Sequence, residues 1–390
     1  MYPRALTLNA DHDETFFLWG PRKTGKSSLL RERFKDAHFF NLLDTDQFIK
    51  FSTRPALFRE ECLGVIALLN TRQPRPWFII DEVQKIPALL DEVHLLIEEH
   101  GLKFGLCGSS ARKLKRGHAN LLGGRAVRYE LSGLVSIELG DDFDLIKLLN
   151  RGYLPSHYLN DRYPKILAAY VNEYLKEEIA AEGLVRNLPV FSDFLRSASF
   201  SDGEIINYTK IASECGVSSP TVKEYFQILQ DTLIATNLPA YTRRPKRKVI
   251  HAPKFYFFDV ALTNILTRRK NLEPGTEAFG HAFENWIHHE IRSYLSYRSI
   301  DADFSYWRLA DTGREVDFVL NDLEIAIEAK AKSQIRPDDL RGLRELAVDH
   351  PKVKRRLVVC LETKRRVTED NILIMGYADF VRALWNGEWL

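Results

Sequence analysis

Short apolar runs recur through the first third of the chain, at residues 15–19, 38–43, 77–81, 103–107 and 126–131, and helix-like stretches such as 87–100 separate them. Strands that are apolar throughout, alternating with helices, predict a mainly parallel sheet covered by helices. The pattern then changes. Over residues 163–186 the positions Ile166, Leu167, Tyr170, Val171, Tyr174 and Leu175 recur at helical spacing, with Glu177 and Glu178 beyond them, which predicts a helical lid whose aromatic stripe is core. Residues 206–212 open a helix, Glu214-Cys215-Gly216-Val217 makes a tight turn, and Ser218-Ser219-Pro220-Thr221-Val222 starts a second helix with its proline early. Ile211, Val217, Val222, Tyr225 and Leu229 form the expected small core of this pair, and 233–238 with 241–254 reads as a strand and wing. A long helix at 277–297, strands at 304–309, 314–320 and 324–330, a helix at 338–348 and a strand at 355–361 complete an αβββαβ series.

The first predicted strand runs directly into Gly20-Pro21-Arg22-Lys23-Thr24-Gly25-Lys26-Ser27 and a helix opened by Ser28, the spacing G-x-x-x-x-G-K-[ST] at a strand-to-helix junction. Glycines at both ends let the backbone curl so that its N–H groups face phosphate oxygens, which makes Gly20, Pro21, Lys23, Thr24, Gly25, Lys26, Ser27 and Ser28 the expected nucleotide-binding residues. Lys26 reaches the β/γ-phosphates of a nucleoside triphosphate, and the Ser27 hydroxyl holds Mg²⁺. The strand Phe78-Ile79-Ile80-Asp81-Glu82 ends in two carboxylates, where open α/β sheets place ligands. Asp81 suits Mg²⁺ and Glu82 suits the attacking water. Because a strand at 38–43 intervenes in sequence, the acidic strand is not expected to neighbour the phosphate-loop strand directly. Ser109 and Ser110 end the next strand, able to sense the γ-phosphate or simply to form a turn. Arg125 is a candidate arginine finger acting on a neighbouring subunit, with Arg128 as its competitor.

The segments GPRKTGKSSLL, FIIDEVQKIP, GLCGSSARKL and LLGGRA, in this order, resemble the AAA+ ATPases of bacteria and archaea that carry a C-terminal domain of unknown function. The resemblance implies ATP and Mg²⁺ as cofactors, ATP hydrolysis, and assembly as a homo-oligomer, of which a ring is one form. It also implies phosphate binding by Gly20, Gly25, Lys26 and Ser27, metal and water handling by Asp81 and Glu82, and sensing by Ser109 or Ser110.

Composition narrows the partners. The 390 residues carry a formal charge of only +2, so any nucleic-acid contact must come from local clusters. One such cluster is the acid-free stretch 241–254, with Arg243, Arg244, Lys246, Arg247, Lys248 and Lys254 suited to a phosphate backbone. Ser219, Thr221 and Lys223 on the second helix are candidates for bases or phosphates. A protein-docking module with a solvated charge run is the alternative. The cysteines at 62, 107, 215 and 360 form no C-x-x-C pair, which argues against zinc and disulfides and for a reduced compartment. Residues 1–15 hold no apolar leader and nowhere do about 18 apolar residues run on, so a cytoplasmic protein with no membrane partner is expected.

The αβββαβ segment resembles the PD-(D/E)XK nucleases, through Asp317 followed by Glu328-Ala329-Lys330. If Asn321-Asp322 is a two-residue turn, Asp317 opposes Ala326 and shares a face with Glu328 and Lys330. Two carboxylates can then hold Mg²⁺ while Lys330 orients a water. Glu284 matches the family's acid on the first helix.

The fold class expected is therefore α/β: a P-loop ATPase core (1–145), a helical lid (146–195), a winged helix-turn-helix (196–255) and a restriction-endonuclease-like domain (256–390). The expected function is an ATP-dependent motor that remodels, or translocates on, duplex or branched DNA. An ATP-regulated metal-dependent endonuclease and a scaffold ATPase that docks protein are the alternatives.

Overall fold

The five apolar runs at the N-terminal end become five parallel strands in the computed structural model, which describes residues 2–8, 14–69, 75–109, 122–171, 185, 187–243 and 247–389. The chain divides into two compact units, Leu6–Ser132 with Asp231–Leu233, and Met1–Ala5 with Gly133–Gln230 and Ile234–Leu390. Apart from Asp231–Leu233, the second of these units holds the segments assigned from sequence to lid, winged helix and C-terminal domain.

The first unit runs β1 (Thr15–Trp19), α1 (Lys26–Arg33), β2 (His38–Asn41), α2 (Thr45–Thr53), α3 (Ala56–Ala67), β3 (Phe78–Asp81), α4 (Leu89–His100), β4 (Phe104–Gly108) and β5 (Ala126–Glu130). Its sheet order is β2-β3-β4-β1-β5. β4 therefore lies between β1 and the acidic β3, as the strand count foretold. Every residue of β1 and β4 is buried, which is why these strands show no polar face. Phe40, Phe51, Phe58, Phe78 and Phe104 pack ring against ring on one side. On the opposite side Gly105 makes room for other side chains: a Cβ there would sit 2.5 Å from Ile79 and 2.7 Å from Phe16.

The second unit continues with α5 (Ser136–Leu139), α6 (Leu145–Arg151), α7 (Pro155–Tyr158), α8 (Tyr163–Ala169), α9 (Leu188–Ser199), β6 (Glu204–Ile205), α10 (Tyr208–Cys215) and α11 (Ser219–Asp231). Of the expected lid helix, Tyr174, Leu175, Glu177 and Glu178 lie outside the described residues. Gly216, at φ 64, closes α10, and the Ser218 hydroxyl accepts the Thr221 N–H at the start of α11. Ile211, Val222, Tyr225 and Leu229 are buried together as expected, with Val217 against them. β7 (Ala235–Leu238) and β8 (Lys254–Phe257) join β6 in an antiparallel sheet of order β6-β8-β7.

After α12 (Val260–Leu266), the chain enters α13 (Glu277–Tyr297), β9 (Phe304–Arg308), β10 (Glu315–Leu320), β11 (Ile325–Lys330), α14 (Arg341–Asp349), β12 (Arg355–Cys360), β13 (Arg366–Val367), β14 (Ile372–Gly376) and α15 (Tyr377–Trp385). The expected αβββαβ order is present, with β13, β14 and α15 added. β9, β10 and β11 are antiparallel, and β11, β12 and β14 parallel, in the order β13-β14-β12-β11-β10-β9.

The register of β10 on β11 differs from the one derived above. Leu320 pairs with Ile325 and Phe318 with Ile327, so the connection is four residues, with Asn321, Asp322 and Leu323 all at positive φ. Continuing that register sets Asp317 across from Glu328 rather than Ala326. The displacement is two residues, and side chains alternate with a period of two, so the shared face survives.

The stretch between β7 and β8 also departs from expectation. Ala240 and Val249 form bridges to Tyr306 and Leu309, so this connection runs along the edge strand β9 and covers it. Arg243 pairs with Asp303 (2.8 Å) and Asp322 (3.5 Å), and Arg247 with Glu345 (2.7 Å) and Asp349 (2.8 Å). These cations were read as a free face for phosphate. Their acidic partners lie more than 50 residues further along, where a local count of charge does not reach.

Candidate functional site

The loop between β1 and α1 closes on itself through its own polar groups. Gly25 caps α1 at φ 96 with no side-chain acceptor, Lys23 is at φ 64, and Thr24 donates its hydroxyl to the Pro21 carbonyl at 2.8 Å. A Cβ at Gly20 would lie 2.3 Å from the Leu131 carbonyl, so that position excludes side chains. Lys26 is 5% exposed, and its ammonium donates to the carbonyls of Gly20 (2.6 Å) and Pro21 (3.0 Å). An ammonium held, among the described residues, by neutral carbonyls stands where an anion would be a better partner. Ser28 follows in the first turn of α1.

The acidic strand meets this loop across β4. The Ser27 hydroxyl donates to Asp81 Oδ2 at 2.6 Å, and the Asp81 Oδ1 atom accepts the Glu82 N–H at 3.1 Å. Glu82 sits at φ 60, ψ 41, a left-handed conformation unusual for a residue with a long side chain, so the chain turns sharply as β3 ends. Its carboxylate is nearly buried and accepts from Gln84 Nε2 at 2.5 Å, with the Arg22 guanidinium 3.9 Å away. The same Gln84 nitrogen reaches Ser109 Oγ at 3.1 Å. Gln84 thus ties together the end of β3 and the end of β4. It went unremarked in the sequence reading, although it is the last letter of Asp81-Glu82-Val83-Gln84; what sequence does not show is that β4 lies beside β3. Burial, then the Asp81 charge, holds the neighbouring Cys107 thiol well above its usual range, so it stays an inert neutral group.

Ser27 and Asp81 are the pair that would hold Mg²⁺, and Lys26 and the loop amides would hold phosphate. Ser110 lies outside the described residues. Arg125 is exposed and paired with Glu98 just before β5. Because Ala126 registers with Thr15, Arg125 sits at the start of the strands, while the phosphate loop leaves their far ends. Five residues of strand, about 16 Å, separate the two. Arg125 is therefore not a ligand of its own chain's loop. Arg128 lies opposite Phe17 in mid-strand.

On α11, Lys223 is exposed, over the Tyr208 ring, while Ser219 and Thr221 are half-buried at the helix start. Arg243 and Arg247 are engaged as described, Lys248 is exposed and accepts the Ala310 N–H on its carbonyl, and Arg244 and Lys246 lie outside the described residues.

The nuclease-like residues converge, with an unforeseen member among them. Asp317 is 3% and Glu328 4% exposed, and Glu328 pairs with Lys330 at 2.5 Å. Lys254, first residue of β8 and 1% exposed, points its ammonium at Glu284 (2.9 Å), Asp317 (3.3 Å) and Glu315 (3.5 Å). The Tyr256 hydroxyl donates to the same Glu284 oxygen at 2.6 Å. Burial opposes the charge on Lys254, but Glu284, Tyr256, Asp317 and Glu315 outweigh it and hold its pKa well above the usual lysine range. Burial and the Asp317 charge push Glu328 up to about 8. Sequence counted Lys254 among the surface cations; its place at the head of the buried run Phe255-Tyr256-Phe257 was the sign that it is not one.

Against known families, residues 12–139 match one described as AAA domain, residues 142–273 a domain of unknown function (DUF8612), and residues 279–380 a domain of unknown function (DUF4143). Uncharacterised proteins of Mycobacterium bovis and Mycobacterium tuberculosis are each 24% identical over 383 residues, covering 94% of this chain and 82% of theirs. Among solved structures, the Aeropyrum pernix ORC2 protein in ADPNP–ADP complexes aligns with TM-score 0.35 and 12% identity over 59% of this chain and 83% of that one. The Aeropyrum pernix ORC1 protein in complex with DNA aligns with TM-score 0.26 and 11% identity over 65% and 86%. Residues 12–139 are thus a P-loop domain of the AAA type, and the two segments that follow have relatives without a stated role.

Proposed function

We propose that the chain is an ATP-hydrolysing, Mg²⁺-dependent ATPase of the cytoplasm that acts as a homo-oligomer to remodel, or move along, duplex or branched DNA. The observation that carries the ATPase reading is the Ser27–Asp81 hydrogen bond beside a Glu82 carboxylate pinned by Gln84, at the edge of a sheet in which β4 separates β1 from β3. Glu82 orients and polarises the attacking water, and Ser109 senses the γ-phosphate through Gln84. Bound Mg²⁺ would supply charge neutralisation of the phosphate oxygens. Arg125, remote from its own loop, serves the neighbouring subunit's nucleotide.

The DNA reading is supported by α10, its tight turn and α11 with a three-stranded sheet, the arrangement of a winged helix, with Ser219, Thr221 and Lys223 at the start of its second helix. Lys223 and Lys248, not the engaged Arg243 and Arg247, carry the expected phosphate contacts. Metal-dependent cleavage is not part of this reading, because an ammonium lies among the nuclease-like acids.

The ion pairs that engage Arg243 and Arg247 between β7 and β8 favour a second reading, in which the winged helix docks a protein partner. ATP turnover measured with and without linear, single-stranded and junction DNA separates the two. Stimulation by DNA, lost with Glu82→Gln and weakened by Lys223→Ala, supports the first. Turnover indifferent to DNA, with no DNA binding even at low salt, rejects it.

A further inference from the structure

The resemblance of residues 256–390 to the PD-(D/E)XK nucleases implies a divalent metal between Glu284, Asp317 and Glu328, and the residues present do not fit one. An ammonium has three N–H donors. That of Lys254 has three carboxylate oxygens within 3.5 Å, one each from Glu284, Glu315 and Asp317. The ammonium has no N–H left over, while among the described residues Glu328 Oε2 is buried with no hydrogen-bond partner. The second oxygen of Asp317 accepts the Ala329 N–H at 2.9 Å, Tyr256 shares the Glu284 oxygen, and Lys330 takes Glu328 Oε1. A magnesium ion needs oxygens at about 2.0–2.1 Å in an octahedron, and with Lys254 in place the Glu284, Glu315 and Asp317 oxygens face its ammonium, so that the unpartnered buried oxygen, Glu328 Oε2, does not make such a shell. Among the described residues no group of three or more His, Cys, Asp or Glu side chains is placed to hold a metal ion.

We infer that Lys254 is a built-in cation that replaces the divalent metal at the nuclease-like acids, so that this site is metal-free and non-cleaving and serves to fasten β8 to α13 and β10. The inference rests on the nuclease-like reading of residues 256–390. Its chemistry is simple: one fixed positive charge neutralises the acids that a metal would otherwise neutralise, and it cannot dissociate. Lys254 comes from the antiparallel sheet beside α11, whereas Glu284 stands on α13 and Glu315 and Asp317 on β10. The charge cluster is therefore a permanent joint where an enzyme would have an exchangeable cofactor.

The test uses the full-length chain without nucleotide, carrying Ser27→Ala throughout to silence metal at the phosphate loop, and reads Mn²⁺ binding by electron paramagnetic resonance together with melting temperature. With Lys254 present, Mn²⁺ is expected to leave the melting temperature unchanged and to show no site that Asp317→Asn removes. Lys254→Met is expected to lower the melting temperature, to gain at least tenfold in Mn²⁺ affinity at one site, and to be restabilised by Mn²⁺; adding Asp317→Asn abolishes both gains. An Asp317-dependent Mn²⁺ site in the chain with Lys254 intact overturns the inference while favouring the nuclease-like reading, and it needs no Lys254 variant to be seen. A folded Lys254→Met chain that gains no metal overturns the inference together with that reading. The DNA-binding proposal is unaffected by either result, since its readout is DNA-stimulated turnover.

Discussion

Replacing Gln84 with leucine keeps the volume of a side chain that is 5% exposed and removes its two donated hydrogen bonds, one to Glu82 and one to Ser109. The bond to Glu82, at 2.5 Å to an ionised and nearly buried carboxylate, belongs to the charge-assisted class. Such bonds contribute about 1.5–3 kcal/mol, and at about 1.4 kcal/mol per factor of ten the loss corresponds to a decrease in kcat of roughly 10- to 150-fold. Nucleotide affinity should stay within about twofold, because Lys26, Ser27 and the loop amides are untouched. Steady-state phosphate release gives kcat, and a fluorescent ATP analogue gives affinity. Since Gln84 acts through Glu82, the double variant Gln84→Leu/Glu82→Gln should be no slower than Glu82→Gln alone, a non-additive cycle. Unchanged kcat, an additive double variant, or a loss confined to affinity would each refute the assignment of Gln84 as the residue that positions Glu82.

Three further outcomes follow from the second unit. Gly342→Ala would place a Cβ 1.9 Å from the Glu315 carbonyl, forcing α14 away from β10, and should cost about 1–3 kcal/mol or more, seen as a lower urea midpoint; an unchanged midpoint contradicts the packing. Arg247→Ala strands the buried Asp349 carboxylate and should cost about 1–3 kcal/mol while leaving DNA affinity unaltered, and a clean loss of DNA affinity would return Arg247 to a contact role. Burial pushes Asp202, Asp259 and Glu290 up to about 7, from ordinary values of 3.8, 3.8 and 4.5. The folded chain then keeps protons that the unfolded chain releases, so stability falls as pH rises from about 4 to about 7, by up to about 1.4 kcal/mol per pH unit for each group. Glu290→Gln should flatten part of that slope in urea titrations across the window, whereas stability rising with pH would contradict it.

Local spacing made the phosphate site legible. Gly20 to Ser27 and Asp81-Glu82 are short, contiguous signals, and the strand count correctly kept β3 from β1. The β10–β11 face was right despite a connection two residues too short, because an even displacement preserves the side on which Asp317 and Glu328 project. What failed was charge. Arg243 and Arg247 read as a free basic surface because their partners, Asp303, Asp322, Glu345 and Asp349, belong to the strand ends and helix of a later segment. Lys254 was misplaced for the same reason: only the fold brings Glu284, Glu315 and Asp317 around it. β13, at two residues, is too short to announce itself by periodicity, while β14, an apolar run as long as β1, went unread.

The most direct test of the central claim is equilibrium binding of a fluorescent, non-hydrolysable ATP analogue with Mg²⁺, comparing the unaltered chain with Lys26→Ala and Asp81→Asn. The account predicts saturable binding that Lys26→Ala abolishes and that Asp81→Asn makes insensitive to Mg²⁺. An unaltered, folded chain that binds no analogue would contradict it.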